Sequence, residues 1–228
     1  VISQFMARYL EKLRLENGLK TRKDALKKFR DDLGKHELPI RTFLSGILRT
    51  EMLDLLERAR KGKGHVFGAL YELDDDELVE GLGKLGARGH LVLANGSIKA
   101  KKGETAADAR KRDQNKTARQ ALKGKKLEVH DRMVSPGALG HNKFLVFAGP
   151  SKKPRAVWTG STNWTSTGLC TQVNNGLLVE NPDFSKVYFD QWERLRDAKS
   201  LFPKDLVSSN SKAKPVAVGD SRANVWFS

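Results

Sequence analysis

The chain changes its hydrophobic period near Gly62–Gly64, and this switch constrains the fold more than any single residue does. Before it, Ile2, Phe5, Met6, Tyr9, Leu10 and Leu13 recur with the spacing of an amphipathic helix. Leu26, Phe29 and Leu33 mark a second helix ending near Gly34. Leu44, Ile47, Leu48, Met52, Leu55 and Leu56 mark a third, which runs out in Lys61-Gly62-Lys63-Gly64. After the switch, short apolar runs alternate with helical patterns. His65–Leu73 and His90–Ala94 read as strands. The helix between them carries Leu78, Val79, Leu82 and Leu85, with an Asp74/Glu77 capping box expected at its start. A further helix is expected from Thr105 or Asp108 to about Leu122, then strands at 127–134, 143–148, 156–159 and 176–180. Asn181-Pro182-Asp183 opens a helix with Phe184, Val187, Tyr188, Trp192 and Leu195 on one face. Phe144–Ala148 is apolar at consecutive positions, as in a central strand covered on both sides. The alternation predicts a layered α/β/α sandwich with a mixed sheet over 65–200, preceded by a helical segment at 1–64. Residues 201–228 read as a linker followed by the start of a second half, with strand-like Val216–Val218 and Val225–Phe227.

Charge narrows the partner class. The 228 residues carry 42 Lys+Arg against 27 Asp+Glu, a formal charge of +15. Residues 97–140 hold 12 basic and 5 acidic side chains, the densest basic stretch being Lys99–Lys126. A field of this sign suits nucleic acid or an anionic lipid surface, the plain alternative being a solvated helix face. Lys101 and Lys102, within that stretch, are candidate substrate contacts. A single cysteine, Cys170, excludes an internal disulfide framework and a multi-thiolate zinc site, and reads as a small buried hydrophobe. Apolar runs fall far short of the roughly 20 residues of a membrane helix, so stable membrane insertion is not expected. Val1–Leu10 shows no secretory pattern, and the missing initiator Met suggests a trimmed or partial chain. The expectation is a reduced, cytoplasmic protein that attracts polyanions.

The chemistry gathers around two strand ends. His141-Asn142-Lys143 begins the apolar strand, and Gly160-Ser161-Thr162-Asn163 ends the next. Residues two apart on a strand share a face, so His141 projects with Lys143, and Ser161 with Asn163 if the strand continues. An imidazole can attack phosphorus or carry a proton, while an ammonium and a carboxamide can hold non-bridging phosphate oxygens. His-x-Lys alone is expected by chance about 0.5 times in such a chain. Followed at this distance by Gly-Ser-x-Asn, it is expected about once in a thousand.

His141-x-Lys143 followed by Trp158-Thr159-Gly160-Ser161-Thr162-Asn163-Trp164-Thr165 resembles the HKD motif of the phospholipase D superfamily, and the resemblance extends over about 65–200. It implies a phosphodiesterase that needs no metal and no cofactor. One motif histidine forms a phosphohistidine, and the histidine of a second motif protonates the leaving group. His141 would be nucleophile or general acid, Lys143 and Asn163 would hold the phosphate, and Ser161 would support them. Gly160 and Trp164 join the substrate-binding candidates. Trp158 and Trp164 flank the motif and read in the first place as packing residues, with stacking on substrate bases as the alternative.

The sequence departs from the motif at two places. Its Asp falls at Ala148, and a following Glu falls at Asn174. Without a carboxylate partner the imidazole is expected to be less basic and to be oriented from elsewhere. No second motif is present, because none of His36, His65, His90 or His130 has a lysine two residues on. In-line displacement puts nucleophile and leaving group on opposite sides of phosphorus, so one imidazole cannot serve both. The second motif is therefore expected from a homodimer partner or from a second HKD-containing half absent here. Nucleic acid is the expected substrate. The alternatives are a phospholipase D or phosphatidyltransferase acting on lipid, for which no apolar face beyond core stripes is visible, and a catalytically impaired polyanion-binding scaffold. Asp74-Asp75-Asp76 reads as a helix N-terminus rather than a metal site. The N-terminal helices read as a packed appendage, with a DNA-reading helix-turn-helix as the lesser alternative.

Overall fold

The computed structural model describes residues 2–96, 103, 105, 108, 111–135 and 138–227. Helices α1 (Ile2–Glu16), α2 (Arg22–Leu33) and α3 (Pro39–Lys61) precede a six-stranded sheet of order β3-β2-β1-β4-β5-β6. Strands β1 (His65–Leu70), β2 (Gly89–Ala94) and β3 (Glu128–Arg132) are parallel. Helices α4 (Asp76–Gly83) and α5 (Lys116–Gly124) lie in the crossovers that parallel neighbours require. Strands β4 (Lys143–Ala148), β5 (Pro154–Gly160) and β6 (Gly176–Val179) continue the sheet antiparallel. Helix α6 (Ser166–Cys170) lies between β5 and β6. Helices α7 (Pro182–Ala198) and α8 (Lys204–Asn210) follow, then a hairpin of β7 (Lys214–Val218) and β8 (Ser221–Val225). The layered α/β/α arrangement with a mixed sheet is the one the chain forms.

Alternation along the strands sends neighbouring side chains to opposite faces and builds two cores. Leu70, Leu91, Leu93, Leu145 and Trp158 meet α1–α6, and Leu10, Leu13, Ala25, Phe29 and Leu33 belong to the same cluster. The N-terminal helices thus share a core with the sheet. On the other face Phe67, Ala69, Val92, Phe144, Val146 and Val157 meet Phe184, Trp192 and Leu195 of α7, Leu206 of α8 and the β7–β8 hairpin. Arg41 of α3 is tied at 2.8 Å to Asp75, both 1% exposed. Losing either partner of so buried a pair is expected to cost about 3–5 kcal/mol.

Four local expectations are corrected. Asp75, not Asp74, caps α4, its carboxylate accepting from Leu78 N, while Glu77 pairs with Arg41 and Arg49. The backbone N–H of Asp74 is held by Trp164 O, so the helix starts later. Ile47 leaves the core stripe and is 74% exposed, because Gly46 (φ 52°, ψ −147°) breaks the helical register inside α3. Residues 204–210 form α8 and bury Leu206, where a linker was expected. The helix expected from Thr105 or Asp108 to about Leu122 is not continuous, because residues 111–115 form turns before α5 begins at Lys116. Most of its expected first turn lies outside the described residues, and Asp108 N donates to Thr105 Oγ1.

Candidate active site

The antiparallel entry of β4 puts its first residues at the sheet end where β1, β2 and β5 finish. Leu70 pairs with Lys143 and Phe144 with Thr159, so the 141–143 triplet and the 160–163 turn come side by side. Beyond Gly160 the chain leaves the strand. Trp164 N donates to Glu72 O at 3.0 Å, and the N–H groups of Asp74 and Asp75 both donate to Trp164 O. This stitch carries Asn163 to Glu72, where its Nδ2 donates to Oε2 at 2.7 Å.

Lys143 is 6% exposed, with Nζ 3.4 Å from His141 O and 5.1 Å from the centre of the Tyr71 ring. Burial pushes its pKa down to about 8, against the upward pull of the Glu72 carboxylate. The group is therefore still mostly an ammonium at neutral pH. His141 is exposed and meets Tyr71 edge-on, ring centres 4.8 Å apart. Desolvation first, then the Lys143 charge, hold the imidazole below its ordinary pKa of 6.5, leaving a ring-nitrogen lone pair available near pH 7. Tyr71 supplies packing that orients this imidazole, while the Lys143 charge lowers its basicity, the opposite of what a carboxylate partner would do.

The missing motif Asp has a simple spatial reading. Ala148 pairs with His65 at the far end of β4, five residues from Lys143, or about 17 Å along the strand. A carboxylate there would not reach His141, so its absence removes nothing from the site. At the position of the motif's Glu, Asn174 accepts from Ser161 Oγ at 2.9 Å, and Asn175 N donates back to that oxygen at 3.1 Å. Ser161 and Asn163 therefore do not project as a strand pair: one is held to the β5–β6 connection, the other to Glu72. Gly160 faces Gly176 in the ladder, where a side chain would strike the Asn175 carbonyl. Trp164 takes the packing reading and drops out of the substrate-contact candidates, since it is 1% exposed and packs edge-on against Trp158 at 5.7 Å, with no face left for a base. Cys170 is buried, which pushes its thiol up to about 11.

Of the basic stretch, Lys99, Lys101, Lys102 and Arg110 lie outside the described residues. Arg119 is no surface charge: it is 7% exposed, bridges Asp113 and Asp131, and caps the carbonyls of Leu93 and Ala94. The other four histidines do not join His141. His65, His90 and His130 form a row with Glu128 on the α7 face, and His36 follows α2. Sequence reasoning missed Glu72 and the role of Tyr71. The available signal was their position at the C-terminal end of a strand neighbouring the motif strand, masked by the acidic run that opens α4.

Residues 52–196 match the family model described as cardiolipin synthase, PLD-like domain. Human mitochondrial cardiolipin hydrolase is 28% identical over 101 residues, 42% of this chain and 37% of that protein; the match spans little more than a third of that relative. Among solved structures, Nuc from Salmonella typhimurium, a phospholipase D family member, superposes with a TM-score of 0.48 at 15% identity, over 66% of this chain and 87% of that one. Polyphosphate kinase from Porphyromonas gingivalis superposes with a TM-score of 0.43 at 14% identity, over 64% of this chain and 22% of that one.

Proposed function

This chain belongs to the phospholipase D superfamily, and on that premise we propose that it is a phosphodiesterase of nucleic acid working through a phosphohistidine on His141. The observation that carries the reading is a neutral, exposed imidazole set two residues from a buried ammonium at one sheet end. A ring nitrogen of His141 attacks phosphorus in line, forming the P–N bond as the ester P–O bond breaks. Lys143 and the carboxamide of Asn163 hold the non-bridging oxygens, on which charge grows. Ser161 fixes the adjoining turn. The leaving oxygen takes its proton from a second imidazole, which then draws a proton from the water that hydrolyses P–N and regenerates His141.

That second imidazole comes from another motif, in a second copy of this chain or in further polypeptide, because His36, His65, His90 and His130 all lie elsewhere in the fold. The charge of +15 supports a polyanionic substrate. Lys101 and Lys102, which lie outside the described residues, are proposed as substrate contacts on the charge of the Lys99–Lys126 stretch.

Lipid is the second reading, favoured by one observation. Phe43, Ile47, Val173 and Leu177 are 69%, 74%, 97% and 56% exposed, the last two flanking the Asn174–Asn175 turn that holds Ser161. The sequence showed no such surface. No helix among the described residues is long and apolar enough to cross a membrane.

Polynucleotide, cardiolipin vesicles and a bis-aryl phosphodiester offered to one preparation, with and without EDTA, test both readings. Chelator-resistant polynucleotide cleavage that disappears in His141→Ala is expected. Cleavage that survives His141→Ala overturns the mechanism, and cleavage of cardiolipin alone overturns the substrate. Equilibrium sedimentation during turnover, with an inactive His141→Ala chain titrated in, tests whether two copies build the site.

A further inference from the structure

Three arginines are buried among the described residues, and two of them are neutralised. Arg41 lies against Asp75 and Glu77, and Arg119 against Asp113 and Asp131. The third, Arg132 at the end of β3, is 2% exposed and has no carboxylate within ion-pair distance among the described residues. Its Nη1 donates only to carbonyls, Lys199 O at 2.6 Å and Leu201 O at 3.2 Å, and the guanidinium lies 4.8 Å from the centre of the Phe202 ring. Its Nε has no hydrogen-bond partner. Burial with no offsetting acid pushes its pKa down. A buried, uncompensated cation is costly, and an anion brought to it is correspondingly rewarded.

Arg132 lines a cavity of about 310 Å³ between the motif strand and α8. Asn142, the residue between His141 and Lys143, lines the same cavity, and its carboxamide makes no hydrogen bond among the described residues. Asn210 Oδ1, also on the wall, is a buried acceptor without a donor. Leu139, Phe202 and Val207 add half-exposed apolar surface. The cavity thus combines an unpaired cationic donor, an unpaired acceptor and an apolar, partly aromatic wall. Its volume is at the small end of ligand pockets, about the size of one nucleotide.

We propose that this cavity is a nucleotide subsite, which takes the phosphate of a unit neighbouring the scissile bond on Arg132, its base on Phe202, and a base amino or sugar hydroxyl donor on Asn210. The inference deepens the nucleic-acid reading above and rests on it. A lipid phosphate offers the anion but neither the planar base nor the base amino donor, so the nucleotide is the better complement of all three features. Because Asn142 sits in the motif triplet, occupancy here also fixes the register of the strand across His141 and Lys143.

Calorimetric titration of the full chain with AMP at low ionic strength reads the subsite without any cleavage, so failure of the catalytic reading and failure of the subsite are separate results. AMP is expected to bind, and Val207→Trp, which fills the cavity from a half-exposed position, is expected to weaken it at least tenfold. Arg132→Met should do the same, and Val207→Trp keeps the test valid if that variant fails to fold. AMP affinity untouched by Val207→Trp but lost in Lys143→Ala places the nucleotide at the catalytic lysine and overturns the proposal. Short-chain phosphatidic acid binding in place of AMP, in a manner blocked by Val207→Trp, also overturns it.

Discussion

Glu72 and Asn163, 91 residues apart, are joined by a 2.7 Å hydrogen bond that links the strand before the motif to the turn that ends it. The same carboxylate is the one group raising the pKa of the buried Lys143. Glu72 therefore acts as a positioning residue on two members of the proposed site at once. Glu72→Ala is expected to lower kcat/KM by about 10- to 100-fold, the scale of a lost charge-assisted hydrogen bond. Glu72→Gln keeps an acceptor for Asn163 and should recover part of that loss. Both variants should move the alkaline limb of the pH profile to lower pH, which a merely structural role would not do.

The pH profile of kcat/KM follows from the two perturbed bases. His141 must be neutral to attack, and its pKa is held below 6.5, so activity should rise with pH from below that value. Lys143 must stay charged, and its pKa lies at about 8, so activity should show a fall through that value in addition to the fall caused when the second, proton-donating imidazole loses its proton. Lys143→Arg, which cannot deprotonate, should remove the step near pH 8 from whatever activity remains and leave the fall due to the proton-donating imidazole. Stopped-flow hydrolysis of a chromogenic diester between pH 5 and 10 measures both limbs.

Restoring the motif carboxylate should not raise activity. Ala148 is six per cent exposed and lies at the far end of β4 from Lys143. Ala148→Asp is expected to leave kcat within about twofold and to lower thermal stability, because it buries an acid. A several-fold gain in kcat would show that position 148 communicates with His141 by a route other than contact.

The histidine row should make stability pH-dependent without touching catalysis. Burial lowers the pKa of His65 and, despite the Glu128 carboxylate, of His90, with His130, Lys152 and Arg88 adding positive charge around them. The unfolded chain then binds more protons than the folded one between the unfolded value near 6.5 and the lower folded values. Stability is full above 6.5 and falls as pH drops, by up to about 1.4 kcal/mol per pH unit for each such group. Glu128, whose own pKa is lowered, loses its contribution only at still lower pH. Urea titrations at pH 7 and pH 5.5 should differ accordingly, and His90→Phe should flatten the difference.

What could be read without coordinates was local or periodic. The change of period at Gly62–Gly64, the consecutive apolar residues of β4 and the Asn181-Pro182 helix start are statements about neighbours in sequence, and all reappear in the fold. His141, Lys143 and Asn163 could be named because their spacing carries the motif. Register breaks were illegible: the Gly46 kink exposes Ile47, and the Trp164 stitch delays α4 to an Asp75 cap, because each depends on contacts far along the chain.

By itself the sequence determined the chemistry on offer: one imidazole, one lysine and one carboxamide at strand ends, on a chain of charge +15. Tertiary structure alone decided which of these meet. Antiparallel pairing of β4 with β1 brought Tyr71 and Glu72 to the motif, put position 148 out of reach, and buried Trp164. The physical reason is that burial and long-range pairing set pKa and orientation, and neither is a property of residue spacing.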